Sequence, residues 1–217
     1  MIAGLPYDAE VEYLESTGPQ QIDTGVIVND NNFVLTVDMC STTAGQSVAW
    51  ATYFGSYSGE PSMSTRLINN RNNANALYCG YRRRSNGQNF VAGNYFVATD
   101  RFQYILEYMK LTIVRPGFND WVMALGQPEG LEDTSTVKLF GANMRCWAFD
   151  ITHDGEPIIS LTPVRFTNEL GQPEGAMYDR VSRKLFRNAG TGAFTIGPDV
   201  ATPVMGLHVF KSPAIAS

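Results

Sequence analysis

Phe33-Val34-Leu35-Thr36-Val37-Asp38 alternates apolar and polar side chains with the two-residue period of a β-strand. In an extended strand Phe33, Leu35 and Val37 share one face, and the residues between them share the other. The segment is also rich in the β-branched and aromatic residues that strands favour. It therefore predicts a strand that buries one of its faces.

Comparable segments recur along the chain, each bounded by turn-forming residues. We predict further strands at Gln21 to Val26, Val48 to Phe54, Ala76 to Tyr81, Gln103 to Val114, Val137 to Phe140, Arg145 to Ile151 and Leu161 to Phe166. No window shows the i, i+3, i+4, i+7 apolar stripe of an amphipathic helix. The sequence therefore predicts an all-β fold, a two-sheet antiparallel β-sandwich.

Turn residues separate the predicted strands. Asp154-Gly155 has the composition of a tight hairpin turn. The pentapeptide Gly-Gln-Pro-Glu-Gly occurs at Gly126 to Gly130 and again at Gly171 to Gly175, in unrelated flanking sequence. We interpret it as repeated turn chemistry and not as a duplication.

Length and composition fit one globular domain. The 217 residues are 44% hydrophobic and 17% charged, and sandwiches of this length fold as single units. We predict the sandwich over residues 1–198. Residues 199–217 form an apolar tail interrupted by proline and glycine, which we expect to pack back or to dock on a partner.

Charge and cysteine content exclude several classes of protein. The net charge of −5, with no basic stripe, argues against a nucleic-acid partner. No apolar run approaches the about 20 residues of a membrane span, and Met1 to Glu12 lacks the pattern of a secretory signal. Cys40, Cys79 and Cys146 are odd in number and widely spaced, so we expect buried free thiols.

Two distant stretches carry a family signature. The opening stretch is Val11 to Gly25, VEYLESTGPQQIDTG, and the closing stretch runs through GAMYDRV at 175–181 and KLFRNAGTGAF at 184–194. Together with KLFGAN at 138–143 and LTPVR at 161–165, they resemble laminin-G/concanavalin-A-like lectin/glucanase-type domains of gut bacteria and their phages. The resemblance spans Val11 to Pro198 and implies a concanavalin-A-like jelly roll used for binding or assembly.

The middle of the chain, Ser56 to Gln103, follows that family only in its strand pattern, so we expect specificity to lie there. Sugars are recognised by aromatic faces and by planar amide or guanidinium groups. For Trp50, Tyr53 and Tyr78 the alternative is packing in the core, and we predict Trp147 to be a core residue. The predicted glycan-binding residues are Trp50, Tyr53, Tyr57, Tyr78, Tyr81, Arg82, Arg83, Asn86, Tyr95 and Trp121.

Catalytic alternatives are weaker. Glu10, Glu12 and Glu15 are spaced like the carboxylates of β-jelly-roll glycoside hydrolases, but they lie at the extreme N-terminus, and the alternative is a soluble edge strand. His153 and His208 lack a nucleophile elbow around any serine. We predict no enzymatic activity.

Metal binding is a further alternative. Asp30, Asn31, Asp100 and Asp120 are oxygen donors on predicted loops, and laminin-G-like domains often hold Ca²⁺ through such residues. No EF-hand-like spacing supports a calcium site. We therefore predict no cofactor, with Ca²⁺ as the alternative.

The function expected from these observations is binding, without catalysis. We expect a phage virion surface component, a capsid decoration or fibre, that displays a glycan-binding sandwich to carbohydrate or cell-surface glycan and contacts other virion proteins. The alternatives are a secreted or surface carbohydrate-binding module of a gut bacterium and a glycoside hydrolase using Glu10, Glu12 and Glu15. The expected location is the virion, or else the bacterial surface or the extracellular space, and a homo-oligomer is left open.

Overall fold

A computed structural model describes residues 4–43, 52–56, 63–69, 77–84, 89–91, 99–128 and 134–200. These residues contain strands, turns and bends but no helix, which confirms the all-β prediction. The strands are β1 (Ala9–Glu10), β2 (Leu14–Thr17), β3 (Ile22–Asp23), β4 (Phe33–Ser41), β5 (Thr52–Gly55), β6 (Met63–Asn69), β7 (Leu77–Arg84), β8 (Asn89–Val91), β9 (Phe102–Glu107), β10 (Lys110–Val114), β11 (Trp121–Ala124), β12 (Lys138–Leu139), β13 (Asn143–His153), β14 (Glu156–Thr167), β15 (Pro173–Asp179), β16 (Lys184–Phe186) and β17 (Thr195–Ile196).

The strands form two antiparallel sheets. The larger sheet has the order β11-β10-β9-β4-β13-β14-β15-β16, with β1 paired to β14, β2 to β13 and β17 to β2. The smaller sheet has the order β3-β12-β5-β6-β7-β8. This arrangement confirms the two-sheet antiparallel β-sandwich. No helix of the described residues is long and apolar enough to cross a membrane.

One hydrophobic core lies between the sheets. Leu35 and Val37 of β4 and Phe149 of β13 are buried in it, as are Phe54 of β5 and Leu139 of β12 from the smaller sheet. The rings of Phe54 and Phe149 meet across the interior with centroids 6.0 Å apart. The inward face predicted for β4 is therefore correct, because the two-residue period of the sequence matches the burial of every second side chain.

The three cysteines are free and buried, as predicted. Burial in apolar surroundings disfavours the thiolate and raises the pKa of each thiol. These residues therefore pack as small hydrophobic side chains.

The segment from Gln103 to Val114, predicted as one strand, is a hairpin. The chain turns at Tyr108-Met109 and returns as β10, with Met109 in the left-handed region at φ 56°. Sequence reasoning missed the turn because neither residue is a usual turn former. The Asp154-Gly155 hairpin is confirmed: both residues have positive φ, 53° and 82°, as a type I′ turn requires.

The opening and closing stretches pack against each other. The Asn188 side-chain oxygen accepts hydrogen bonds from the Gln21 and Gly190 backbone nitrogens, and the Ala189 backbone nitrogen donates to the Gln21 carbonyl. A Cβ on Gly190 would lie 2.0 Å from the Pro19 carbonyl oxygen, so only glycine fits there. Both stretches are thus structural in the places where they meet.

The last described residues continue this pairing. β17 runs antiparallel to β2, Val11 forms a bridge with Asp199, and the Val200 backbone nitrogen donates to the Glu10 carbonyl. Asp199 and Val200, the first residues of the predicted tail, therefore lie on the N-terminal strand. Residues 201–217 lie outside the described residues.

Candidate functional site

The predicted glycan-binding residues fall into three groups. Trp50, Tyr57, Asn86 and Tyr95 lie outside the described residues. Tyr53 and Tyr81 are fully buried, with their hydroxyls donating to Ser41 Oγ (3.3 Å) and to the Phe33 carbonyl (2.9 Å). The prediction is wrong for these two tyrosines, because their positions in β5 and β7 direct the rings into the core.

Tyr78, Arg82, Arg83 and Trp121 are half-buried, and the structure does not bring all four together. Arg82 and Arg83 lie on β7, whereas Trp121 pairs with Ile113 at the far end of the β9–β10 hairpin from its turn. The partly buried Trp121 side chain packs against the core. The predicted residues that the structure describes therefore do not form one continuous binding surface.

Arg82 instead belongs to a polar group at one end of the sandwich, which we call the His153 end and define by Asp30, Asn31, Arg82, Tyr108 and His153. His153 Nε2 lies 2.8 Å from Asp30 Oδ2, and Arg82 Nη1 donates to Asn31 Oδ1 at 2.9 Å. Tyr108 is 42% exposed. Planar hydrogen-bonding groups and an aromatic ring are thus collected from four different segments.

Buried rings support this end of the molecule from below. The Tyr81 hydroxyl lies 3.3 Å from the Asp30 carbonyl oxygen, and its ring contacts Tyr108 edge-on with centroids 6.4 Å apart. The Phe33 ring lies 4.3 Å from the His153 ring. Tyr81, predicted to touch ligand, therefore positions the loop whose side chains are exposed.

Local sequence explains how each group is held. Asp30 Oδ1 accepts a hydrogen bond from the Asn32 backbone nitrogen at 2.8 Å, an Asx turn. The Asp154 backbone nitrogen donates to the Asn32 carbonyl, which ties the β13–β14 turn to this loop. Arg82 has φ 48°, at a register shift between β6 and β7, where its backbone nitrogen donates to Thr65 Oγ1. Such a conformation costs a non-glycine residue about 1 kcal/mol.

The carboxylate and imidazole shift each other's proton affinity. Burial opposes ionisation of Asp30, but hydrogen bonds from Asn32 and His153 outweigh it and hold the pKa of Asp30 below its usual value. The hydrogen bond to Asp30 raises the pKa of His153. The pair is charged on both sides over the range between these two pKa values.

The predicted calcium donors are separated. Asp30 and Asn31 lie at the His153 end, whereas Asp100 lies beyond the opposite end of β9 and binds Arg115. Asp120 precedes β11 at that same opposite end. The four residues do not form one site, and no group of three or more His, Cys, Asp or Glu in the described part of the chain could hold a metal ion.

The three glutamates of the hydrolase-like spacing have separate surroundings. Glu10 accepts hydrogen bonds from Arg180 and from the Tyr7 hydroxyl, each at 3.0 Å, and Glu15 binds Arg145 Nε at 2.6 Å. Burial and the bond to Glu10 raise the pKa of Tyr7 to about 12. Glu12 is exposed. The described contacts of Glu10 and Glu15 are ion pairs, from Glu10 to the turn after β15 and from Glu15 to β13.

Trp147, predicted to be a core residue, is half-exposed on the outer face of the larger sheet. Trp147 was predicted to be in the core because it lies inside a predicted strand, but a β-bulge between Cys146 and Ala148 places it on the other face. Its ring lies 5.6 Å from Tyr13, and the Arg101 guanidinium lies 4.6 Å above it. The prediction for Trp147 is therefore wrong.

Sequence reasoning also missed a cleft of about 400 Å³ over the outer face of β3, β12 and β5, which we call the Lys138 cleft. Its polar lining comes from Gln21, Thr52, Thr134, Ser135, Thr136 and Lys138. No motif marks these residues. They come from three separate stretches of the sequence, around Gln21, around Thr52 and at residues 134–138, and the pairing of β12 with both β3 and β5 brings these stretches together.

No protein-family model and no curated protein sequence matches this chain.

Proposed function

We propose that this chain is a non-enzymatic binding protein that recognises carbohydrate through its His153 end. The observation that carries the proposal is the pairing of Asp30 with His153 and of Asn31 with Arg82 at one end of the sandwich, where the buried Tyr81 joins the Asp30 loop to the exposed Tyr108. Sugar hydroxyls both donate and accept, and this group offers guanidinium and imidazole donors beside carboxylate and amide acceptors. The Tyr108 ring adds an apolar face for the C–H surface of a sugar.

Pre-organisation supports the same proposal. Asp30 is fixed by Asn32 and His153, and Arg82 is held by Asn31 and by the bond from its backbone to Thr65. Side chains already held in place lose less conformational entropy when a ligand binds. A weakly binding ligand such as a single sugar therefore gains from this arrangement.

We further propose that the sandwich is of the concanavalin-A-like jelly-roll type and acts on the surface of a phage virion, as capsid decoration or fibre. The proposal is supported by the resemblance of the opening and closing stretches to laminin-G/concanavalin-A-like domains of gut bacteria and their phages. In the structure these two stretches pack against each other. A surface module of a gut bacterium is the alternative. Mass spectrometry of purified virions separates the two, since the module would be missing from washed particles.

A glycan array with the purified chain tests carbohydrate recognition, with binders then measured by calorimetry. We expect a positive glycan, with at least tenfold weaker binding after Arg82→Ala or Asp30→Ala, because each removes a charged hydrogen-bonding group. Arg101→Ala is the matched control, since Arg101 pairs with Asp38 on another surface and should leave binding unchanged. Absence of any binder, or equal losses in all three variants, would contradict the proposal.

A further inference from the structure

The Lys138 cleft has the features of a binding site distinct from the His153 end. Its volume of about 400 Å³ lies within the about 300–1,000 Å³ of small-molecule sites. Lys138 and Gly55 are paired across β12 and β5, while their neighbours Leu139 and Phe54 are buried. The cleft therefore opens on the face of the smaller sheet that points away from the core.

Two glycines shape the floor of the cleft. A Cβ on Gly141 would lie 2.5 Å from the Thr52 carbonyl oxygen, and Gly55 has φ 122° with the Thr65 carbonyl 2.1 Å from a Cβ position. Phe140, just before Gly141, takes φ 76° and buries its ring. The chain thus turns sharply after β12, and neither Gly55 nor Gly141 places a side chain in the cleft.

The wall of the cleft is fixed by backbone pairing. The Val137 backbone nitrogen donates to the Val26 carbonyl at 2.7 Å, and both the backbone nitrogen and the hydroxyl of Thr24 donate to the Val137 carbonyl. This holds residues 134–138 beside β3 without using the side chains of Thr136 or Lys138. Those side chains are therefore left for a ligand.

The single positive charge in the lining of the cleft favours an anionic ligand. Lys138 is the one charged residue among the described residues that line the cleft, and it forms no hydrogen bond or ion pair within the described part of the chain. Asp23 lies opposite Lys138 in register but outside the lining, with Oδ1 accepting from the Gly25 backbone nitrogen. The rest of the lining is hydroxyl, amide and glycine. One ammonium among neutral hydroxyl groups suits one anionic group on a polyhydroxylated ligand.

We infer that the Lys138 cleft binds a sugar acid, with the carboxylate on the Lys138 ammonium and the ring hydroxyls on Thr52, Thr136 and Gln21. This inference does not rest on carbohydrate recognition at the His153 end. A single sugar acid has about 13 non-hydrogen atoms, and ordinary ligand efficiencies then give a Kd of about 1 mM. The charged contact should make binding weaker as salt increases.

Titration of the full chain with glucuronate, followed by NMR, tests the inference. We expect shifts at Thr136 and Lys138 with a Kd near 1 mM, at least tenfold weaker binding of glucose, and at least tenfold weaker glucuronate binding in Lys138→Gln. Lys184→Gln is the matched control, because Lys184 is an exposed lysine on β16, in the other sheet. It should leave the Kd unchanged.

Two results would rule out sugar-acid binding at the Lys138 cleft. Equal affinity for glucose and glucuronate, or an unchanged Kd in Lys138→Gln, would overturn the inference. Thr136→Val, which keeps the shape of the side chain and removes the hydroxyl, should weaken binding about threefold or more even if Lys138→Gln were to fold poorly. Arg82→Ala should not alter glucuronate binding at the cleft. A wrong proposal for the His153 end and a wrong inference for the Lys138 cleft therefore give different results.

Discussion

His153 and Asp30 illustrate how two half-buried residues set each other's charge. The imidazole and carboxylate lie 2.8 Å apart, and the contact raises the pKa of His153 while hydrogen bonds lower that of Asp30. At pH values between the two pKa values, both groups are charged and the ion pair is fully formed. It is lost as pH rises through the raised pKa of His153 and as pH falls through the lowered pKa of Asp30.

We therefore predict that His153 titrates above the ordinary histidine value of about 6.5. Replacing Asp30 by Asn removes the carboxylate and should return the pKa of His153 toward that value. An NMR titration of the imidazole protons measures both. His208→Gln assigns the second histidine signal, and a His153 pKa that does not respond to Asp30→Asn would contradict the ion pair.

Neighbouring residues on β7 show what sequence could and could not predict of the site. Arg82 was predicted to face ligand and lies at the His153 end, whereas Tyr81, one position earlier, is fully buried. Composition favours aromatic and guanidinium groups for sugars, but it does not say which face of a strand each residue occupies. Asp30 and Asn31 were predicted as oxygen donors, and their pairing with His153 and Arg82 depends on tertiary structure.

Among the elements, β5 and β6 depend on a close backbone approach. Gly55 has φ 122°, and a Cβ there would lie 2.1 Å from the Thr65 carbonyl oxygen. The Ser56 backbone nitrogen donates to that same carbonyl at 2.9 Å. A side chain at position 55 would have to push the two strands apart.

We predict that Gly55→Ala lowers the free energy of unfolding by more than about 2 kcal/mol, because strain at positive φ adds to a backbone clash. Gly117→Ala is the control, since Gly117 also has positive φ, at 82°, but has no neighbour within 4 Å of a Cβ. It should cost about 1 kcal/mol. Urea denaturation measures both, and equal losses would show that the close approach is unimportant.

Long strands were predicted well and irregular positions were not. β4 alternates regularly over its first six residues, and its inward face follows from that pattern, whereas β13 alternates only on either side of its bulge. The turn at Tyr108-Met109 and the bulge at Trp147 each depend on backbone geometry that their side chains do not require. Pattern reasoning therefore finds the elements but misplaces residues where the period of two is broken.

At the scale of the molecule, one main core joins the two sheets, and the opening and closing stretches pack together. This core contains buried residues as far apart in the sequence as Val11 and Phe194, whereas a second, smaller cluster is formed by Tyr7, Val164, Phe166, Ala176 and Tyr178. Such a core should unfold as one unit. The Lys138 cleft also belongs to this scale, because its lining comes from three separate stretches of the chain, and no motif marks any of them.

We predict one cooperative unfolding transition in urea. Far-ultraviolet circular dichroism reports both sheets, and tryptophan fluorescence includes Trp147 of the larger sheet, so the two curves should coincide. Asn188→Ala, which removes the bond to the Gln21 backbone, should shift both curves equally to lower urea. Two separate midpoints would show that the sheets unfold independently.

The antiparallel pairing of residues 10–15 with residues 195–200 has a mechanical consequence. Glu10 and Val200 lie side by side. Tension applied through these two residues therefore loads the hydrogen bonds between the paired segments one after another, starting at Glu10 and Val200. A sandwich held between two tethers in this way yields at low force, whereas strands loaded in shear break all their bonds together. If the domain were attached through only one of these two terminal segments, tension would not pass through its core.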